Sequence, residues 1–208
     1  MIKVGLSGNR YSGKDRVSKI FKQIGVPVFD ADVVLKFILQ YNYELQAEIS
    51  EKVGSVYFKN GLLDYERVLS DDVFPKILSI VETDLFEAWS RFQSKNYKSI
   101  YCVFHSSILF ETGWDKKMKY NISVFAPYSD RAERCKFLTK SSISSIYSFT
   151  KTEMDELDKN KASDFVIHNY NEDSPFYGDA LTQVNKLDKK IIDNFLKGSM
   201  TVKKEIAL

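Results

Sequence analysis

Apolar runs alternate with helical repeats along this chain, which predicts strands joined by helices. Ile2 to Leu6 reads as a buried parallel strand. Val17, Ile20, Phe21 and Ile24 then recur at helical spacing from Lys14, and Gly25 stops that helix. Val26 to Phe29 is a second short strand, closing on Asp30-Ala31-Asp32, and a helix from about Val33 to Gln40 follows. From about Glu44 to Phe92 strand signals are absent and the pattern is helical, broken by the turn Phe58-Lys59-Asn60-Gly61 and restarted at Ser70-Asp71-Asp72. The aromatic residues of this stretch (Tyr41, Tyr43, Tyr57, Phe58, Tyr65, Phe74, Phe86, Trp89, Phe92) read mostly as core.

Tyr97 to Phe104 is a third strand, leading into His105-Ser106-Ser107. Tyr120 to Phe125 is a fourth, closed by Ala126-Pro127, and Asp164 to Ile167 a fifth, ending in His168-Asn169. Between the last two, residues 129–162 are polar and basic with a serine-rich middle (Ser141, Ser142, Ser144, Ser145), as a helical lid that moves on ligand binding would be. A helix from about Gly178 to Leu196 completes the pattern, and residues 198–208 read as a frayed tail. The sum is an α/β fold: a parallel five-stranded sheet wrapped by helices, carrying a helical insertion and a helical lid. It is one unit, with the core at about 1–32, 97–128 and 163–197, the insertion at 33–96 and the lid at 129–162.

The chain has 208 residues, 44% hydrophobic and 28% charged, with a net charge of +2. That length buries a sizeable core, and the charge balance gives no argument for nucleic-acid or membrane attraction. Cys102 and Cys135 form no motif and fit structural thiols of a reduced cytoplasmic setting, with a single disulfide left open. No apolar run reaches the length of a membrane span, and the N-terminus lacks a signal-peptide pattern.

The chemistry concentrates in Gly8-Asn9-Arg10-Tyr11-Ser12-Gly13-Lys14-Asp15-Arg16. This is G-x-x-x-x-G-K between a strand and a helix, the pattern of a phosphate-binding loop. Backbone N–H groups of such a loop converge on phosphate oxygens, and the following helix turns its positive end to the same anion. Lys14 adds a mobile charge on the β- and γ-phosphates. Asp15 stands where Ser or Thr normally follows the lysine; it is either first-turn dipole complementation or a metal contact. Asp30 reads first as a helix cap, whereas Asp32 is placed to face the phosphates. His105 and Glu111 read first as structural, His168 as a surface residue, and Arg131 and Arg134 as solvated ion-pairing residues of one helical face.

Four segments in order resemble the dephospho-CoA kinase family. Gly5-Leu6-Ser7-Gly8 through Gly13-Lys14, then Ile24-Gly25-Val26-Pro27 and Asp30-Ala31-Asp32, resemble G-L-T-G-G-I-G-S-G-K-[ST], L-G-[VA]-P and D-A-D. Val53-Gly54 and Asn60-Gly61-Leu62-Leu63-Asp64-Tyr65-Glu66-Arg67-Val68, then Val73-Phe74, resemble F-G…D-G-x-L-D-R-x-x-L…V-F. Ile108-Leu109-Phe110-Glu111 resembles P-L-L-F-E, and Lys159 to Asn169 resembles K-R-x-x-A-D-x-V-I-D-N. The resemblance implies a fold of the P-loop NTPase type and transfer of the γ-phosphoryl of ATP to the ribose 3′-hydroxyl of dephospho-CoA. It implies Mg²⁺, a phosphate cradle from Gly8 through Arg16, Asp32 as the residue that orients or deprotonates the hydroxyl, and Arg134 as a lid arginine on the transferred group. A cytoplasmic monomer without nucleic-acid or membrane partners is the matching expectation.

The departures from the family pattern are specific. Asp15 replaces the hydroxyl, His105 stands where Asp follows the third strand, and Ser107 replaces the proline before the Leu-Leu-like pair. Glu82-Thr83-Asp84 occupies the place of a His-Pro pair, Leu138 that of a second lid arginine, and Glu153 that of a lid glutamine; Lys136 or Lys140 would substitute as charge alone. Two other readings stay open. A nucleoside monophosphate kinase is suggested by Ser12-Gly13-Lys14-Asp15, and a catalytically silent nucleotide-binding homologue by the lid and His105 changes.

Overall fold

The computed structural model describes residues 1–64, 67–68, 71, 73–139, 153–170 and 179–206. Five parallel strands form one sheet in the order β2-β5-β1-β6-β7: β1 (Ile2–Ser7), β2 (Val28–Asp30), β5 (Tyr101–His105), β6 (Tyr120–Phe125) and β7 (Phe165–His168). The apolar runs made them strands because each is buried between helical layers. One face carries Val4, Leu6, Val103, Ile122 and Ile167 against Val17, Ile20 and Phe21 of α1 (Lys14–Gln23) and Val184, Leu187 and Ile191 of α7 (Ala180–Ile206). The other face buries Phe29, Cys102 and Phe104 against Leu85 and Trp89 of α4 (Phe74–Lys95) and against Trp114.

Beyond β2 the chain runs through α2 (Ala31–Tyr41), α3 (Tyr43–Ile49), a wide π turn at Ser50–Gly54 and a 3₁₀ turn at Ser55–Tyr57 before α4. This insertion has its own apolar cluster, in which Leu35, Leu39, Leu45, Ile49, Tyr57, Leu63, Ile77 and Val81 meet. Its predicted turn is the tip of a small antiparallel hairpin, β3 (Phe58–Lys59) and β4 (Leu62–Leu63), so the strand-free reading of this region is corrected. Asn60 and Gly61 both take positive φ (53° and 74°), the conformation a two-residue hairpin loop requires. Tyr41, Tyr43 and Phe86 are exposed and not core.

The lid stretch is helical at its two described ends, α5 (Tyr128–Thr139) and α6 (Glu156–Lys161). Its serine-rich middle and Lys140 lie outside the described residues, as do Tyr65, Glu66, Ser70 and Asp72. The expected frayed tail is instead helical through Ile206: Gly198 costs about 1 kcal/mol in a helix, and no proline stops it. Cys102 and Cys135 are both buried and free, which closes the disulfide alternative. Among the described residues no helix is long and apolar enough to cross a membrane.

Candidate active site

Strand register places the site. At the carboxyl edge of the sheet, His105 at the end of β5 pairs in register with Leu6 of β1 on one side and Asp30 of β2 on the other. The phosphate loop leaves β1, and the Asp30-Ala31-Asp32 segment leaves β2, so both arrive beside His105. Parallel sheets bind ligands at this edge.

The loop itself is held tightly. A Cβ on Gly8 would lie 2.6 Å from Ser12 Oγ and 2.7 Å from the Val124 carbonyl oxygen, so only glycine fits. Gly13 has φ +90°, and a Cβ there would overlap the Asn169 amide. Ser12 N–H donates to the Asn9 carbonyl at 2.9 Å, closing a turn in which Tyr11 takes φ 64°. That position favours Gly or Asn, and sequence reasoning did not single it out. Tyr11 is kept there by packing against Ala132 and Cys135 of α5. Gly13 caps α1 without a side-chain hydrogen bond, which leaves the first amides of the helix pointing at the loop interior. Lys14 is 9% exposed.

Arg131 and Arg134 do not form the solvated pairs expected of them. Arg134 Nη1 donates to the carbonyls of Tyr11 and Ser12, both at 3.1 Å, and Nη2 to that of Asn169 at 2.6 Å. Arg131 Nη1 donates to the Arg10 carbonyl at 3.2 Å. Two α5 arginines thus hold the outer wall of the loop through its carbonyls. Asn169, at the end of β7, donates from its side-chain Nδ2 to the Ser12 carbonyl at 2.7 Å. Its role is visible only in three dimensions, since it lies 157 residues along the chain from Ser12. Glu153 also reaches the loop, accepting from Arg10 N–H at 3.0 Å. Arg16 sits exposed in the first turn of α1, where its charge is felt by Asp179.

Asp30 caps α2, accepting from Val33 N–H at 3.1 Å, as expected. Asp32 lies in the first turn of α2 and not on the strand, because the cap starts the helix at Ala31. Its two oxygens accept from Ser107 N–H at 3.1 and 3.0 Å, and Ser106 Oγ donates at 3.4 Å. Glu111 lies in a buried pair: its Oε1 lies 3.0 Å from Lys159 Nζ and accepts from Met154 N–H at 2.8 Å, and the Met154 carbonyl accepts from Asn9 Nδ2 at 3.3 Å. His168 is half-buried between Phe125 and Tyr170, not on the surface, and burial lowers its pKa.

His105 is the electrostatic centre. It is 2% exposed, with Nε2 3.3 Å from Asp15 Oδ1 and Nδ1 3.4 Å from Asp30 Oδ2. Burial opposes its charged form, but the two carboxylates and nearby Asp32 outweigh burial and raise it to about 9. The same contact holds Asp15 down at about 2 against the opposing effect of burial, with Lys14 assisting. The imidazole is therefore clamped between the phosphate loop and the end of β2.

A family model for dephospho-CoA kinase matches residues 2–174 of the chain. A dephospho-CoA kinase of Porphyromonas gingivalis is 29% identical over 139 residues, covering 64% of this chain and 68% of that protein. A dephospho-CoA kinase of Zymomonas mobilis is 27% identical over 173 residues, covering 81% of this chain and 88% of that one. The structure of TT1252 from Thermus thermophilus superposes with a TM-score of 0.68 at 24% identity, covering 93% of this chain and 97% of that one. A dephospho-CoA kinase structure from Campylobacter jejuni gives a TM-score of 0.56 at 20% identity, covering 91% of this chain and 96% of that one. At these identities the two structures establish the fold alone. The family match spans the phosphate loop, Asp32, His105 and Asn169, and by it the chain belongs to the dephospho-CoA kinase family.

Proposed function

We propose that this protein transfers the γ-phosphoryl group of ATP to the ribose 3′-hydroxyl of dephospho-CoA, giving coenzyme A and ADP. The observation that carries the reading is the fixed Asp32 carboxylate at the same sheet edge as the phosphate loop, with β5, ending on His105, between their strands. In this reading the loop amides and Lys14 hold the ATP phosphates. Asp32 accepts the 3′-hydroxyl proton as that oxygen bonds to the γ-phosphorus and the bond to the ADP oxygen breaks. A carboxylate held by one N–H keeps lone pairs for the hydroxyl, and the rest of catalysis is alignment and charge neutralisation. Arg134 acts through the loop, by fixing its carbonyls.

Among the described residues no three His, Cys, Asp or Glu side chains gather to hold a metal by themselves. Mg²⁺ arriving with ATP needs less, because it keeps water and phosphate oxygens and takes one or two carboxylates. Asp15 fits that need: it is a hard oxygen donor, its side chain is 74% exposed, and it follows Lys14 directly. Asp15 would hold the ion, which supplies neutralising charge on the phosphate oxygens. The insertion at about 33–96, from α2 through α4, is the proposed acceptor platform and the stretch at about 129–162 the lid. Both substrates are water-soluble, and the cytoplasm is the proposed location.

The test is ADP release from ATP and Mg²⁺ with dephospho-CoA and with a panel of nucleoside monophosphates. Stimulation by dephospho-CoA alone is expected. Stimulation by a monophosphate instead would make the chain a nucleotide kinase, and silence with ATP bound would make it a binding protein.

A further inference from the structure

Asp15 is a carboxylate inside an anion site. Its Oδ1 lies 3.9 Å from Lys14 Nζ, so it competes with phosphate for the loop lysine. At that separation opposite charges attract, and more strongly where the site is shielded from water. The same oxygen lies closer to His105 Nε2, at 3.3 Å. His105 cannot follow Asp15 outward, because its ring is buried at the end of β5 and its other nitrogen faces Asp30 Oδ2 at 3.4 Å. Neither ring nitrogen has an aligned hydrogen bond, but each lies within ion-pairing distance of a carboxylate.

We propose that His105 is a positioning residue that draws the Asp15 carboxylate to the sheet edge and so keeps Lys14 free for the ATP phosphates. Sequence alone presents Asp15 and His105 as two separate departures; in space they are one device. The loop places a carboxylate beside its lysine, and β5 supplies that carboxylate with a nearer partner from 90 positions away in the chain. The inference rests on Lys14 as an ATP ligand, and it concerns ATP binding, before any transfer takes place.

The experiment is ATP binding by calorimetry in EDTA, so that metal ligation by Asp15 plays no part. His105→Gln should weaken ATP binding about tenfold, because Asp15 then settles on Lys14. Asp15→Thr should bind ATP at least as well as wild type. The double variant should match Asp15→Thr within about twofold, since the histidine has nothing left to restrain. A merely structural histidine would cost the same in both backgrounds, and that result overturns the proposal, as does wild-type affinity in His105→Gln. Should His105→Gln alone fail to fold, the Asp15→Thr pair decides: equal affinity supports the proposal, and a loss beyond about threefold overturns it. Wild-type affinity in Lys14→Ala would instead remove the phosphate-loop reading itself.

Discussion

The backbone N–H of Ser107 donates to both carboxylate oxygens of Asp32, at 3.1 and 3.0 Å. One donor shared between two acceptors fixes the plane of the carboxylate while leaving lone pairs on each oxygen for a substrate hydroxyl. Asp32→Asn keeps the shape and removes the base. We expect kcat to fall by about 10²- to 10⁴-fold, with KM for dephospho-CoA within about threefold of wild type. Steady-state kinetics against the acceptor checks this; a raised KM at unchanged kcat would make Asp32 a binding residue.

The donor exists because residue 107 is not proline. Proline, which the family pattern carries at this place, has no N–H to give. Ser107→Pro should therefore release Asp32 and lower kcat about tenfold, while ATP affinity stays within about twofold. In an Asp32→Asn background the same change should cost nothing further, because the group it orients has lost its chemistry. The four-variant cycle in kcat reads this directly.

Arg134 spends its guanidinium on the carbonyls of Tyr11, Ser12 and Asn169. Its removal loosens a loop that also carries Tyr11 at positive φ, a conformation a bulky residue keeps only when neighbours enforce it. Arg134→Ala should raise KM for ATP about ten- to hundredfold. Arg134→Lys should recover little, since one ammonium cannot reach the carbonyls that a planar fork bridges. Titration of ATP at saturating acceptor separates this from a loss in the transfer step.

The elements that sequence shows well are those whose own period decides them. β1, α1, β6 and β7 follow from apolar runs and helical repeats, and Gly8, Gly13 and Lys14 from local spacing. What it shows poorly depends on partners brought by the fold. His105 is a lone histidine on an apolar strand until β1 and β2 flank it, and Asn169 and Glu153 reach the loop from far along the chain. The arginines of α5 look solvated in sequence because their acidic neighbours are visible and the carbonyls they bind are not. The β3–β4 hairpin escaped because each strand is only two residues long.

Glu111 and Lys159 form a pair that stability alone should report. Lys159 is 1% exposed, and Glu111 also ties down the Met154 amide. Glu111→Ala leaves a buried ammonium without its counter-charge, and we expect a loss of about 3–5 kcal/mol in urea unfolding. The folded fraction should transfer phosphoryl at a kcat within about threefold of wild type, because the Glu111 carboxylate is engaged by Lys159 and the Met154 amide. A kcat loss at unchanged stability would place Glu111 in the reaction.

The His105 clamp gives stability a pH dependence with a definite sign. The folded pKa of about 9 lies above the ordinary 6.5, so the folded state binds the extra proton between those values. Its contribution is complete below pH 6.5 and is lost as pH rises through 9. Asp15 works in the opposite direction: held at about 2 against 3.8, its contribution is complete above pH 3.8 and is lost as pH falls through 2. Wild-type stability should therefore fall by roughly 1–3 kcal/mol between pH 6.5 and 9 from this residue. His105→Gln should be less stable at pH 6 and show a correspondingly flatter decline. Denaturant melts of both proteins at half-unit intervals would reveal the difference, and parallel curves for the two would mean that His105 carries no charge in the folded state.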